Sequence, residues 1–132
     1  AAAAGEAAFV WTRDYTLSRE AFGQSIADFQ NTRFKLADMA TTVDVMWAYI
    51  DRAMLLYKDK KLTAEEAAKV KFWATDREWE LLDIGVQLHG GYGYITEYPI
   101  ARAFLDARVH RIYGGTNEVM REIVARAVTG RK

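Results

Sequence analysis

From Leu36 onward the apolar side chains Leu36, Ala40, Val43, Trp47, Ile50, Met54 and Tyr57 recur at alternating spacings of four and three, the seam of a helix packed in a bundle. Asp38, Asp44, Asp51 and Lys58 fall off that seam. A lysine-rich turn over residues 58–61 interrupts the pattern. Thr63-Ala64-Glu65-Glu66 then reads as a capping box, in which the threonine hydroxyl accepts from one free backbone N–H while Glu66 reaches back to another. The alternation resumes through Ala67, Val70, Ala74, Arg77, Leu81, Ile84 and Leu88, broken only by Arg77. It stops at His89-Gly90-Gly91, where glycine ends a helix. The pattern predicts two long antiparallel helices.

Residues 1–18 are helix-favouring, and a turn containing Gly23 comes next over residues 19–25. Tyr98-Pro99 forces an extended residue and then permits a first helical turn, so a short helix is expected over residues 99–109. A last helix is expected to start near Thr116, with Val119, Met120, Ile123, Ala127 and Val128 on its apolar face and Gly130-Arg131-Lys132 at its end. No β-type alternation and no internal repeat is present. The expected fold is all-α, an up-and-down bundle of four main helices. The opening AAAAGEAAFVW lacks an initiating methionine, a signal-type charge arrangement and a helix-capping side chain, so the chain reads as entered midway through its first helix.

With 132 residues and one proline the chain fits one domain, large enough to bury roughly two thirds of its unfolded surface. Eighteen basic side chains balance eighteen acidic ones, so no global field favours nucleic acid or an anionic membrane, and any anion site must be local. The absence of cysteine removes disulfides, thiolate metal sites and thiol nucleophiles together. The longest uncharged run, residues 84–96, has 13 residues including four glycines, short of the ~20 apolar residues of a membrane span. A soluble, cytoplasmic protein is expected.

Two glycine turns carry the candidate chemistry. Gly114-Gly115-Thr116 precedes a helix, whose N-terminus offers unpaired N–H donors and partial positive charge, with Thr116 as N-cap and Glu118 in the first turn. An ordinary capped helix and a ligand site are both consistent with this turn. His89-Gly90-Gly91-Tyr92-Gly93-Tyr94 is denser than a helix stop requires, so its backbone must take positive φ or be closely approached. This second turn is not a dinucleotide fingerprint or a P-loop, since no strand precedes it, its glycine spacing is wrong and it lacks a Gly-Lys-Ser/Thr end. Arg19, between helices and beside Phe22-Gly23, suits a bidentate grip on phosphate, against the plainer reading of a solvated arginine. His89 at a helix end reads as a structural histidine, His110 has no partner at metal-ligand spacing, and no metal site is expected. Trp47, Tyr57 and Trp73 read as core, because they lie within long helical apolar text.

Taken together, Arg19-Glu20-Ala21-Phe22-Gly23, Gln87-Leu88-His89-Gly90-Gly91-Tyr92-Gly93-Tyr94, Tyr98-Pro99, Arg102, Asp106-Ala107-Arg108 and Ile112-Tyr113-Gly114-Gly115-Thr116-Asn117-Glu118 resemble the C-terminal helical domain of the acyl-CoA dehydrogenase family over essentially the whole chain. The resemblance implies a flavoenzyme whose N-terminal helical and middle β domains lie outside residues 1–132. It further implies FAD shared across the interface of a homodimer or homotetramer. The Arg19 turn would meet the pyrophosphate of a neighbouring subunit's FAD, with Phe22 and Gln30 adjoining. Gln87, Leu88 and Gly91 would face the adenosine and pyrophosphate part of a partner's FAD, and Thr116 and Glu118 would meet FAD near the last helix.

Many members of that family carry a catalytic glutamate immediately before the Gly-Thr, and here that place is Gly114, which has no base. The Gly-Gly-Thr-Asn-Glu form resembles the long-chain and branched-chain branches, in which the base comes from the first helix of the bundle, upstream of Ala1; Glu6 sits too late to match. Gly114 and Gly115 would still border the acyl thioester. The implied activity is α,β-dehydrogenation of an acyl-CoA, with electrons passing to electron-transferring flavoprotein. The alternatives are a relative such as an acyl-CoA oxidase or nitroalkane oxidase, and a non-catalytic helical oligomerisation module.

Overall fold

The computed structural model describes residues 1–131, and among them the elements are almost entirely helical. Helix α1 is Ala2–Ser18, α2 Gln30–Lys58, α3 Ala64–His89, α4 Pro99–Ala107 and α5 Asn117–Thr129. A two-stranded hairpin, β1 Glu20–Ala21 and β2 Gln24–Ser25, joins α1 to α2, and short 3₁₀ turns cover Ile26–Asp28, Gly90–Tyr94 and Arg108–Arg111. The all-α bundle of four main helices is as expected, and the short fifth, α4, packs on α3 and α1.

The local signals act as their chemistry requires with one exception: the Glu66 carboxylate turns to Arg52 at 2.9 Å and not back to a free backbone N–H, so only the threonine half of the capping box forms. Thr63 Oγ1 accepts from the Glu66 N–H at 3.1 Å, and Glu65 and Glu66 stand in the first turn of α3, where the helix dipole favours carboxylates. Helix α2 ends in the lysine turn. Lys60 takes φ 57°, and the N–H groups of Lys61 and Leu62 both donate to the Leu56 carbonyl, so the exposed helix end is closed without glycine. Helix α4 opens on Pro99, as expected, and stops two residues short of the expected end, passing into the 3₁₀ turn.

Helix α3 is the hub, touching α1, α2, α4 and α5. One side carries Ala74 and Leu81 into a cluster with Ala2, Met39, Val43 and Met46; the other carries Leu82 against Ala8, Ile100 and Ala107. Two buried faces require more than a single apolar seam. The second face includes Ala68, Thr75, Glu78, Gly85 and His89, residues that hydrophobic periodicity does not select. Helix α1 buries a stripe of small residues, Ala2, Gly5, Ala8, Thr12 and Thr16. A Cβ on Gly5 would come within 2.8 Å of Leu81, and one on Gly85 within 2.9 Å of Thr12, so α1 and α3 lie close together, side by side and running the same way.

Two expectations about the core are corrected. Tyr57 and Met54 are not core among the described residues: they are 68% and 59% exposed, on the last turns of α2. Trp47 lies at the rim, where its indole N–H donates to Glu6 Oε2 at 3.0 Å and fastens α2 to α1, while Trp73 does pack against the core. The apolar face expected of α5 is only half used. Met120 and Ile123 are half-buried, but Val119 and Val128 are exposed, since α5 packs chiefly on α3. Its one buried residue is polar, Asn117.

Candidate functional site

Arg19 ends α1: its N–H donates to the Tyr15 carbonyl at 2.9 Å, and its own carbonyl accepts from Ile26 at 2.8 Å. The hairpin beyond it pairs Glu20 with Ser25 and Ala21 with Gln24, leaving Phe22 and Gly23 as a two-residue loop with φ of 53° and 82°. Positive φ at both central positions is the requirement of such a loop, and glycine meets it without strain. Phe22 meets it at a cost, and its ring is 97% exposed. Strands of two residues are too short to show alternation, which is why the sequence reads only as a turn. Ser25 Oγ donates to the Thr16 carbonyl at 2.9 Å and ties the hairpin back to α1.

The C-terminal end of α3 stands beside this hairpin, because the Tyr15 ring stacks on His89 at 4.3 Å. His89 is buried, and its Nδ1 lies 2.7 Å from the Gly85 carbonyl. It is the structural histidine the sequence suggests. Burial pushes its pKa below the ordinary imidazole value, with the Gly85 carbonyl opposing. The crowded glycines divide their labour. Gly90 ends the helix at φ 59°, and Gly93 lets the turn fold back where a Cβ would collide with the Val86 carbonyl oxygen. Gly91 faces open space. The result is a groove of about 590 Å³ whose lining includes Arg19, Phe22, Gln87, Leu88, Gly91 and Tyr92. The Arg19 guanidinium lies 5.6 Å from the Tyr92 ring centroid, and no carboxylate among the described residues pairs with it. Gln30, first residue of α2, is exposed and is not part of the lining.

The remaining candidates gather elsewhere, at the start of α5. Thr116 is the N-cap, its hydroxyl accepting from the Val119 N–H at 3.3 Å. Glu118 is held below the usual carboxylate range by its own backbone N–H, the Thr116 hydroxyl and the Arg121 and Arg111 guanidinium groups. Gly114 and Gly115 both take positive φ, 64° and 95°, and a Cβ on Gly115 would collide with Met120 Cε. Gly114 lines a smaller cavity of about 270 Å³ with Ala1, Lys71, Thr75, His110 and Tyr113.

Sequence reasoning missed the side chains that hold this turn. Lys71 Nζ donates to the Gly115 carbonyl at 2.8 Å and to Asn117 Oδ1 at 2.7 Å. Asn117, 1% exposed, donates through Nδ2 to Thr75 Oγ1 at 2.9 Å and Asp76 Oδ1 at 3.0 Å. Asp76 in turn pairs with Arg111 and Arg121. Burial lowers the Lys71 pKa, against the pull of Asp76 and Glu118. Beside this network His110 Nδ1 lies 2.8 and 3.0 Å from the two oxygens of Glu78, which is fully buried, and its ring stacks on Tyr113 at 5.4 Å. Among the described residues no cluster of three His, Asp or Glu side chains could hold a metal ion. None of the helices is long and apolar enough to cross a membrane.

The geometry is that of a helical bundle with Arg19 beside the open backbone of Gly91, and without a carboxylate partner among the described residues. Residues 1–129 match the description "Acyl-CoA dehydrogenase, C-terminal domain", and the chain belongs to that family. The long-chain specific acyl-CoA dehydrogenase of Sus scrofa mitochondria is 44% identical over 128 residues, covering 97% of this chain and 30% of that protein. The caffeyl-CoA reductase-Etf complex subunit CarC of Acetobacterium woodii is 40% identical over 111 residues, 84% of this chain and 29% of that protein. The crystal structure of acyl-CoA dehydrogenase from Geobacillus kaustophilus superposes with a TM-score of 0.94 at 38% identity, covering 96% of this chain and 33% of that one. The chain thus spans about 30% of the length of the curated relatives it matches.

Proposed function

We propose that the intact protein catalyses flavin-dependent α,β-dehydrogenation of an acyl-CoA thioester, and that this bundle supplies part of its FAD site and its homo-oligomer interface. The observation that carries this reading is the groove in which Arg19 and Phe22 meet Gln87, Leu88 and Gly91, segments far apart in sequence. The groove fits an anionic cofactor. Arg19 has no carboxylate to neutralise it, and the backbone at Gly91 stands open where a side chain would otherwise keep a ligand away. FAD, when bound, supplies the hydride acceptor.

Arg19 would grip the pyrophosphate, Phe22 would present its ring to the cofactor, and Gln30, at the start of α2, would reach it from outside the groove. Lys71 and His89 lie about 27 Å apart along the axis of α3. This separation supports an assignment in which the Arg19 groove meets a neighbouring subunit's FAD, while Thr116 and Glu118 meet FAD separately. Gly114 and Gly115 would border the thioester. Gly114 has no side chain to remove the α-proton, so that task falls to another residue. Ala1 lines the same cavity as Gly114, which supports a base contributed from the N-terminal side of α1. Glu6 is engaged with Trp47 and is not assigned the role.

Electron-transferring flavoprotein is the proposed electron acceptor, a reading supported by the Etf complex to which the Acetobacterium relative belongs. A cytoplasmic location remains a proposal, which fractionation of expressing cells would separate from the mitochondrial location named for the pig relative. The test is FAD retention by the intact protein with Arg19→Ala. Losing a charge-assisted pair, ~1.5–3 kcal/mol, weakens retention by at least about tenfold. Unchanged retention overturns the role of Arg19. Anaerobic bleaching of the flavin by acyl-CoA supports the dehydrogenase, oxygen consumption would point to an oxidase relative, and a colourless protein to a helical oligomerisation module.

A further inference from the structure

The Gly114-Gly115 turn is held from outside by a single cation. Two consecutive residues at positive φ form a stretch of backbone that many conformations could replace, since glycine has little intrinsic preference for one. Within the turn itself, the Thr116 cap and the Met120 N–H to Thr116 carbonyl bond, 3.0 Å, fix only the helix beyond residue 116. The preceding peptide is fixed by Lys71. Its ammonium, half-buried on α3, donates at once to the Gly115 carbonyl and to Asn117 Oδ1. Asn117 is itself immobilised, because its Nδ2 group is anchored on Thr75 and Asp76. Lysine has three N–H donors, and two are committed here to acceptors on either side of Thr116.

We propose that Lys71 is a positioning residue for the substrate: by holding the Gly115 carbonyl and Asn117 together it sets the peptide plane between Gly115 and Thr116, and so the shape of the wall that borders the acyl thioester. The proposal rests on the proposed function, in which Gly114 and Gly115 line the thioester. Without the ammonium, the Gly115 carbonyl loses its side-chain donor and the peptide is free to rotate. Asn117 keeps Thr75 and Asp76, so α5 stays docked and the fold survives. Lys71 also lines the cavity that Gly114 and Tyr113 share, so a change in the turn is felt where the ligand would lie.

The test uses the intact protein with Lys71→Met, which keeps most of the stem without the charge, and Lys71→Arg, which restores paired donors. The first readout is amide hydrogen exchange at Gly115, Thr116 and Asn117, and the second is affinity for 3-thiadodecanoyl-CoA, whose β-position sulfur has no hydride to give. In protein kept saturated with FAD, Lys71→Met is expected to speed exchange at these amides and to weaken the analogue about tenfold, the low end for a lost hydrogen bond to a charged group; Lys71→Arg is expected to recover both. Unchanged exchange overturns the proposal. Faster exchange with unchanged analogue affinity also overturns it, leaving Lys71 a purely structural tether. If wild-type protein binds no acyl-CoA analogue at all while exchange responds as expected, the functional reading fails and the Lys71 tether stands.

Discussion

Removing the imidazole of His110 strips the fully buried Glu78 side chain of the one side-chain partner it has among the described residues. Glu78 is 0% exposed, and both of its oxygens meet His110 Nδ1, at 2.8 and 3.0 Å. His110→Phe retains a ring to stack on Tyr113 but has no N–H, so the stacking energy is held roughly constant while the donor disappears. Leaving a buried acceptor without its partner costs ~1–3 kcal/mol, and more where the group is charged. About 3 kcal/mol applies here, because Glu78 is fully buried and its abandoned oxygens have no other side-chain donor among the described residues. At this chain length such a loss lowers Tm by roughly 10 °C. The second arm is Glu78→Leu with His110→Phe, which puts two apolar groups where the pair was. Replacing a buried pair with apolar residues is close to neutral, so the double variant should regain most of the loss, about 2 kcal/mol or more. Urea and thermal denaturation of the two variants beside wild type measure both quantities. A double variant no more stable than His110→Phe alone would refute the reasoning, since the penalty would then come from lost packing and not from an abandoned hydrogen-bond acceptor.

Two more outcomes rest on single observations. His89 has its pKa pushed below the ordinary ~6.5 by burial, so the unfolded chain takes up a proton before the folded one as pH falls. Its contribution to stability is therefore whole above about 6.5 and declines as pH drops from there towards the depressed folded value; His89→Gln should flatten the stability profile in that window, and an unaltered slope in denaturation midpoints from pH 7 to 5 would rule the effect out. The two glycines of the α3 end should also part company. Gly93→Ala forces a Cβ into the Val86 carbonyl and should cost roughly 1–3 kcal/mol, whereas Gly91→Ala meets open space and should leave Tm nearly unchanged while weakening FAD retention; equal melting of the two variants would contradict the placement of the turn.

The features legible in the sequence were those that local chemistry decides. The Thr63 N-cap, the Pro99 start and the Gly90 end are each set by residues within one turn of the position they control, and each falls where the pattern puts it. The second buried face of α3 was not legible. Apart from Leu82 its residues are polar or small, and three are admitted to the interior by a partner distant in sequence: Glu78 by His110, Thr75 by Asn117, Gly85 by the close approach of Thr12. Hydrophobic periodicity scores such positions as exterior because it counts a residue's own affinity for water and not the bond that replaces it. The same limit applies to the candidate site. Arg19 and the glycines of residues 90–93 could be singled out one at a time, yet their convergence on one groove depends on the register between α1 and α3. That register is set where side chains are absent: Gly5 admits Leu81, Gly85 admits Thr12, and one turn further on Tyr15 stacks against His89. Both helices therefore end at the same level, and the segments leaving them must meet there. The hairpin carrying Phe22 leaves one end and the glycine turn leaves the other, so the groove is a consequence of two missing side chains deep in the bundle, well away from the residues that would touch a ligand.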